Sequence, residues 1–77
     1  MNSSILKSEV IERRFGLTDR GREVLRVLAE GHTAKQAADI IGLKERTVHF
    51  HLSTVMERLK AENRAAAILR ACMLGIL

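Results

Sequence analysis

The sequence predicts an all-α fold, a small four-helix domain preceded by a short N-terminal arm or helix. Apolar residues recur at intervals of three and four along the chain, while no stretch sustains alternation at two. Capping residues and glycines divide the chain into helix-length segments. At 77 residues a single core is only just sufficient, so one compact domain is the ceiling. Residues 1–16 form the arm, linker or short helix, and residues 17–77 the domain.

The first segment, Asn2 to Arg14, sets Ile5, Leu6, Val10 and Ile11 among mixed charges, a pattern that suits a short helix, an interdomain linker or a frayed arm. A clearer unit opens at Leu17-Thr18, with Thr18 as N-cap, Asp19 in the first turn, a Val24, Leu25, Leu28 stripe and Gly31 as the stop. Thr33 with Gln36 three residues on forms a capping box before Ala37, Ala38 and Ile41, and Gly42 ends that helix. After only Leu43 and Lys44, the residues Val48, Leu52, Val55 and Leu59 follow spacings of four, three and four and share one inward face. Two helices joined by a short glycine-bearing turn, the second amphipathic and basic at its start, fit the description of a helix-turn-helix. The last segment starts at the N-cap Asn63 and runs to Gly75.

Rotation at about 100° per residue then places the side chains of the 45–59 helix. Opposite the Val48, Leu52, Val55, Leu59 stripe, Phe50 and Glu57 point outward, with Arg46 and Ser53 beside them and His49 on one flank. Such a phenylalanine is either ordinary surface, which is largely apolar in any folded protein, or a contact for thymine methyls and sugar edges in a major groove. His51 lies near the edge of the core stripe, where packing or a structural hydrogen bond is expected. His49 and His51 point in widely different directions, which argues against a shared metal site.

The chain carries 13 Lys plus Arg against 9 Asp plus Glu, a formal charge of +4 that suits an anionic partner. Its one cysteine, Cys72, cannot form an internal disulfide, and no zinc-type Cys/His spacing occurs, so a reducing compartment, the cytoplasm, and a metal-free and cofactor-free fold are expected. No apolar run approaches the roughly 18 residues that a membrane span needs, and the N-terminus lacks the basic-then-apolar order of a signal peptide. Enzymatic activity is not expected: no nucleophile sits near a general base at helical spacing, no glycine-rich phosphate loop occurs, and the chain leaves little room for a pocket.

The residues Leu17-Thr18-x-Arg20-x-Arg22-Glu23-Val24-Leu25, Ala29-Glu30-Gly31, Thr33-x-Lys35, Ala37-Ala38, Gly42, Glu45-Arg46-Thr47-Val48, His51, Leu59, Asn63-Arg64 and Ala67 resemble the LuxR-type helix-turn-helix domain. Phe50 before His51, and the Leu74-Gly75-Ile76-Leu77 ending, are most similar to its quorum-sensing, autoinducer-responsive branch. The likeness runs from Leu17 to Leu77. It implies a four-helix domain that dimerises and binds a two-fold related site in double-stranded DNA, its third helix in the major groove. The family's base-facing positions fall on His49, Phe50 and Ser53, with Arg46 and Thr47 at the helix start. Its phosphate-contacting positions fall on Lys35 and Lys44, and at the far end of the helix on Arg58 and Lys60. A solvated surface charge is the alternative for each basic residue. The resemblance also leaves room for a sensory domain or a LuxR-type partner outside this chain.

Four positions depart from the family's usual residues. Gly21 replaces a glutamate that would complete a capping box with Thr18, and its helix propensity is lower by about 1 kcal/mol, so a weakened first turn is expected. Lys44 replaces an N-cap serine and cannot accept a bond from the helix amides, but adds a charge near phosphate. His49 and Ser53 stand where basic residues are common, which lowers the charge in the groove.

The final helix is apolar on nearly every side. The family pattern turns Ala67, Ile68, Ala71 and Leu74 to the core, which leaves Ala66, Leu69 and Met73 as an outward stripe with Arg70 at its edge. A homodimer seam would cover that stripe, and so would residues 2–15 folding back within one chain. Cys72 is expected to be a small packing residue. Two functions therefore stand beside each other: a sequence-specific regulator or its DNA-binding module, and an interaction protein that pairs with a full-length LuxR-type relative and blocks it.

Overall fold

The computed structural model describes the backbone of residues 3–77 and the side chains of residues 7–77. Expectations for Asn2, and for the side chains of Ile5 and Leu6, lie outside the described residues. The fold is all-helical: α1 (Ser3–Phe15), α2 (Asp19–Ala29), α3 (Ala34–Ile41), α4 (Glu45–Leu59) and α5 (Arg64–Met73). Among the alternatives left open for the first segment, the helix is the one adopted. Gly16 ends it in the left-handed region at φ 72°, and α1 buries Ile11 against α2, α4 and α5.

The core has two lobes that meet along α4. Val24, Val27, Leu28, Ala37, Ala38 and Val48 join α2, α3 and the start of α4. Ile11, Leu17, Leu25, Val55, Leu59, Ala67, Ala71 and Ile76 join α1, α2, the end of α4, α5 and the C-terminal tail. Leu52 packs against both. Burying Val48 on one lobe and Val55 with Leu59 on the other fixes the roll of α4 and turns its opposite face to solvent. Alanine at the buried positions of α3 and α5 lets those helices lie close to their neighbours.

The caps form where the residue types demand them. Thr18 Oγ1 accepts from the Gly21 N–H at 3.1 Å, and Asn63 Oδ1 accepts from the Ala66 N–H at 2.8 Å. Thr33 and Gln36 make both bonds of the capping box, at 3.1 and 2.9 Å. Gly42 takes the left-handed conformation, φ 84° and ψ 33°, that a Schellman ending needs.

Three expectations are corrected. The first turn of α2 is intact despite Gly21, because Thr18 still caps it and the glycine is buried. A Cβ there would lie 3.3 Å from Thr18 Oγ1, a tight approach, and 3.5 Å from Val55 Cγ2, an ordinary van der Waals distance. Leu74 is not a core residue: it is 46% exposed, while Ile76 is 1% exposed. The Ile76 N–H donates to the Ala71 carbonyl at 2.9 Å and the Gly75 N–H to that of Cys72 at 3.2 Å, so a Schellman turn at Gly75 carries Ile76 inward to the core place that Leu74 does not fill. Cys72 is exposed rather than packed.

At the end of α4 the left-handed position is filled by a lysine. Lys60, φ 55° and ψ 44°, closes a Schellman turn through the Ala61 N–H, which donates to the Met56 carbonyl at 2.8 Å. A left-handed L-residue costs roughly 1–2 kcal/mol, and glycine returns part of that gain as unfolded-state entropy. Lys60→Gly is therefore expected to stabilise the chain by about 0.5–1 kcal/mol, raising the thermal midpoint by several degrees. A lowered midpoint would show that the lysine side chain is structural.

Candidate nucleic-acid interface

The turn between α3 and α4 positions the exposed face. After Gly42, Leu43 is half-buried against the α2–α3 lobe. Lys44 is extended, φ −81° and ψ 150°, and makes no side-chain cap bond. Its carbonyl instead accepts from the N–H groups of Thr47 and Val48, at 3.0 and 3.1 Å, which starts α4 with the Lys44 side chain free in solvent.

Phe50 is 66% exposed. Arg46, His49 and Ser53 are exposed around it and Thr47 is half-buried at the margin. The spacing 46, 50, 53 is that of one helix face. The Phe50 ring meets the His51 ring edge-on with centroids 5.6 Å apart and planes at 68°. His51 is half-buried, in keeping with its place at the edge of the core stripe. Thr54 Oγ1 donates to the Phe50 carbonyl at 3.1 Å. His49 Nε2 lies 3.5 Å from Glu45 Oε2, both groups more than half exposed, so a new partner for His49 competes with a weak surface pair.

Of the four basic residues expected near phosphate, Lys44 lies at the start of this face and Lys35 on the exposed first turn of α3. Arg58 and Lys60 lie elsewhere, about 18 Å or more along the α4 axis from Arg46. Arg58 runs toward the α1–α2 junction, where a Cβ on Gly16 would fall 3.2 Å from its Cδ.

The outward stripe of α5 is exposed as well. Leu69 is 61% and Met73 78% exposed, beside half-buried Ala66 and the displaced Leu74, so α1 does not cover it. Two contacts had no sequence signal. Arg22 Nη1 donates to Ser8 Oγ at 3.0 Å and ties α1 to α2. Arg70 Nη1 donates to the carbonyls of Leu59 and Lys60, at 2.8 and 3.2 Å. Each joins elements distant in sequence, which local spacing does not register. Among the described residues no helix is long and apolar enough to cross a membrane, and no group of three or more His, Cys, Asp or Glu is placed to hold a metal ion.

Known proteins share the sequence pattern and the fold. Residues 16–71 match the family described as bacterial regulatory proteins, luxR family. The chain is 51% identical to the transcriptional activator protein AnoR of Acinetobacter nosocomialis over all of its own length and 34% of that protein's. It is 43% identical to the HTH-type quorum sensing-dependent transcriptional regulator RpaR of Rhodopseudomonas palustris, over 84% of this chain and 27% of that one. The chain thus spans about a third or less of these relatives. The solved structure of the transcription factor GerE superposes with a TM-score of 0.76 at 33% identity, covering 79% of this chain and 91% of that one. A helix-turn-helix with an exposed second helix, a family match over most of the chain and a shared fold lead to one assignment: the chain belongs to the luxR family of bacterial regulatory proteins, as a DNA-binding domain of the transcriptional-regulator type and not an enzyme.

Proposed function

We propose that this domain binds a two-fold related operator in double-stranded DNA as a homodimer, with α4 in the major groove. The observation that carries this reading is Phe50, 66% exposed on the face of α4 opposite the core and ringed by Arg46, His49 and Ser53. A large apolar side chain gains nothing in water there, but it can lie against thymine methyls. Arg46, Thr47, His49 and Ser53 supply the donors and acceptors that distinguish base edges. Lys35 and Lys44 neutralise phosphates beside the groove, and Arg58 and Lys60 reach the backbone only where the duplex continues past the end of α4. Ala66, Leu69 and Met73, with Arg70 at the edge, form the seam. The residues around Phe50 and His51, and the likeness to RpaR, support a place in a cytoplasmic quorum-sensing regulator whose sensory part lies outside this chain.

Lys44 gives a test in which stability and affinity move in opposite directions. Lys44→Ser supplies the side-chain cap that α4 lacks, so the free protein is expected to gain about 1 kcal/mol of stability. The same substitution removes one phosphate contact per protomer. The slope of log affinity against log salt should therefore fall by about two per dimer, with binding weakened equally on all sequences. Salt titrations of fluorescence anisotropy on a labelled duplex read this directly. An unchanged slope would take Lys44 off the phosphate backbone.

A further inference from the structure

We infer that Arg70 sets the angle between α4 and the α5 seam, and thereby fixes the spacing of the two half-sites that the dimer accepts. This rests on the dimeric reading above. The last carbonyls of α4 have no partners within the helix. Lys60 N–H serves that of Glu57 at 3.2 Å and Ala61 N–H that of Met56 at 2.8 Å. The carbonyls of Leu59 and Lys60 are taken by Arg70 Nη1, reaching across from α5. A guanidinium at a helix C-terminus also meets the negative end of the helix dipole. Among the described residues these are the only side-chain hydrogen bonds joining α5 to the end of α4.

The rest of that joint is apolar: Val55 and Leu59 pack with Ala67, Ala71 and Ile76, and half-buried Met56 and Ile68 lie against them, contacts that carry no direction of their own. Arg70 sits between Leu69 and Met73 and borders the same shallow hollow with Ala66 and Leu74. One side chain thus bridges the seam and the end of the groove-facing helix. Phe50 lies nine residues before Leu59, about 14 Å along the axis at 1.5 Å per residue. A rocking of about 10° at the joint would move Phe50 by roughly 2 Å in each protomer and by roughly 5 Å across the pair, against a base-pair step of about 3.4 Å. Without the tie, the dimer would tolerate operators of neighbouring spacing. Arg70 is a positioning residue in this account and touches no base.

The test measures the affinity of the 77-residue chain for a single half-site and for paired half-sites whose separation varies in one-base-pair steps. Sedimentation and thermal melting accompany each variant. The wild-type chain is expected to prefer its best spacing over the adjacent ones about tenfold. Arg70→Met, read at concentrations where sedimentation finds it dimeric, should lower that ratio to threefold or less while half-site affinity stays within twofold, and Arg70→Lys should recover part of the ratio. A folded Arg70→Met that keeps the full ratio overturns the inference, as does one that loses half-site and paired-site affinity in parallel or becomes monomeric. Should Arg70→Met not fold, Arg70→Gln, too short to reach both carbonyls, is read by the same criteria. A wild-type chain indifferent to spacing would instead overturn the two-fold operator reading, and this inference with it.

Discussion

Leu69→Glu is expected to leave a folded monomer that has lost operator binding by about 100-fold or more. Leu69 is 61% exposed and Met73 78% exposed, so in the free chain the substitution exchanges one solvated side chain for another, with an effect of about 0.5 kcal/mol or less on stability. The proposed dimer is expected to respond differently. In a two-fold seam the same patch meets itself, so each new carboxylate is placed close to its symmetry mate among Ala66, Met73 and Leu74. An unpaired buried charge costs roughly 3–5 kcal/mol, and two like charges add repulsion. Sedimentation equilibrium with a thermal melt checks both halves. An unchanged dimer mass, or a dimer that was never present in the wild-type chain at high concentration, would remove the α5 seam.

Phe50→Ala is expected to weaken specific binding by about 1–3 kcal/mol, roughly 5- to 150-fold, with little change in stability. Phe50 makes an edge contact with the exposed side of His51 and otherwise faces solvent. Such an aromatic pair is worth at most about 1 kcal/mol at the surface. The loss should fall on specific sequences, because an apolar ring contributes nothing to counterion release. Competition against random duplex separates the two components. An equal loss on specific and random DNA, or a thermal midpoint lowered by ten degrees or more, would mean that the residue serves the fold and not the operator.

The helix-turn-helix was legible because its determinants are local. Thr33 with Gln36, Gly42 and the Val48, Leu52, Val55, Leu59 stripe each act within one or two turns, and together they fix where α3 ends and how α4 rolls. The exposure of Phe50 followed from rotation alone. Tertiary pairings were less legible. Nothing near Gly21 in sequence announces that it is buried beside Val55, so the glycine read only as a weak point of α2. The period of α5 alone turns Leu74 inward, but Gly75 reverses the chain just after it, so Ile76 and not Leu74 closes over Ala71. Arg70 read as the edge of a seam, since its bond to the end of α4 spans eleven residues and depends on the turn at Lys60. In the first segment Ile11 joins the buried cluster of Leu25, Val55, Leu59, Ala67 and Ala71, a tertiary contact that local spacing does not register.

The most direct test of the central claim is a selection of bound sequences from random duplexes by the purified chain at moderate salt, with Phe50→Ala as control. A homodimer with α4 in the major groove should recover a palindrome whose half-sites lie about one helical turn, roughly 34–36 Å, apart. Phe50→Ala should blur the base positions beneath that side chain. Salt-sensitive, sequence-blind binding or none, from a chain that still self-associates, would contradict the account and favour a domain that pairs with a full-length LuxR-type regulator.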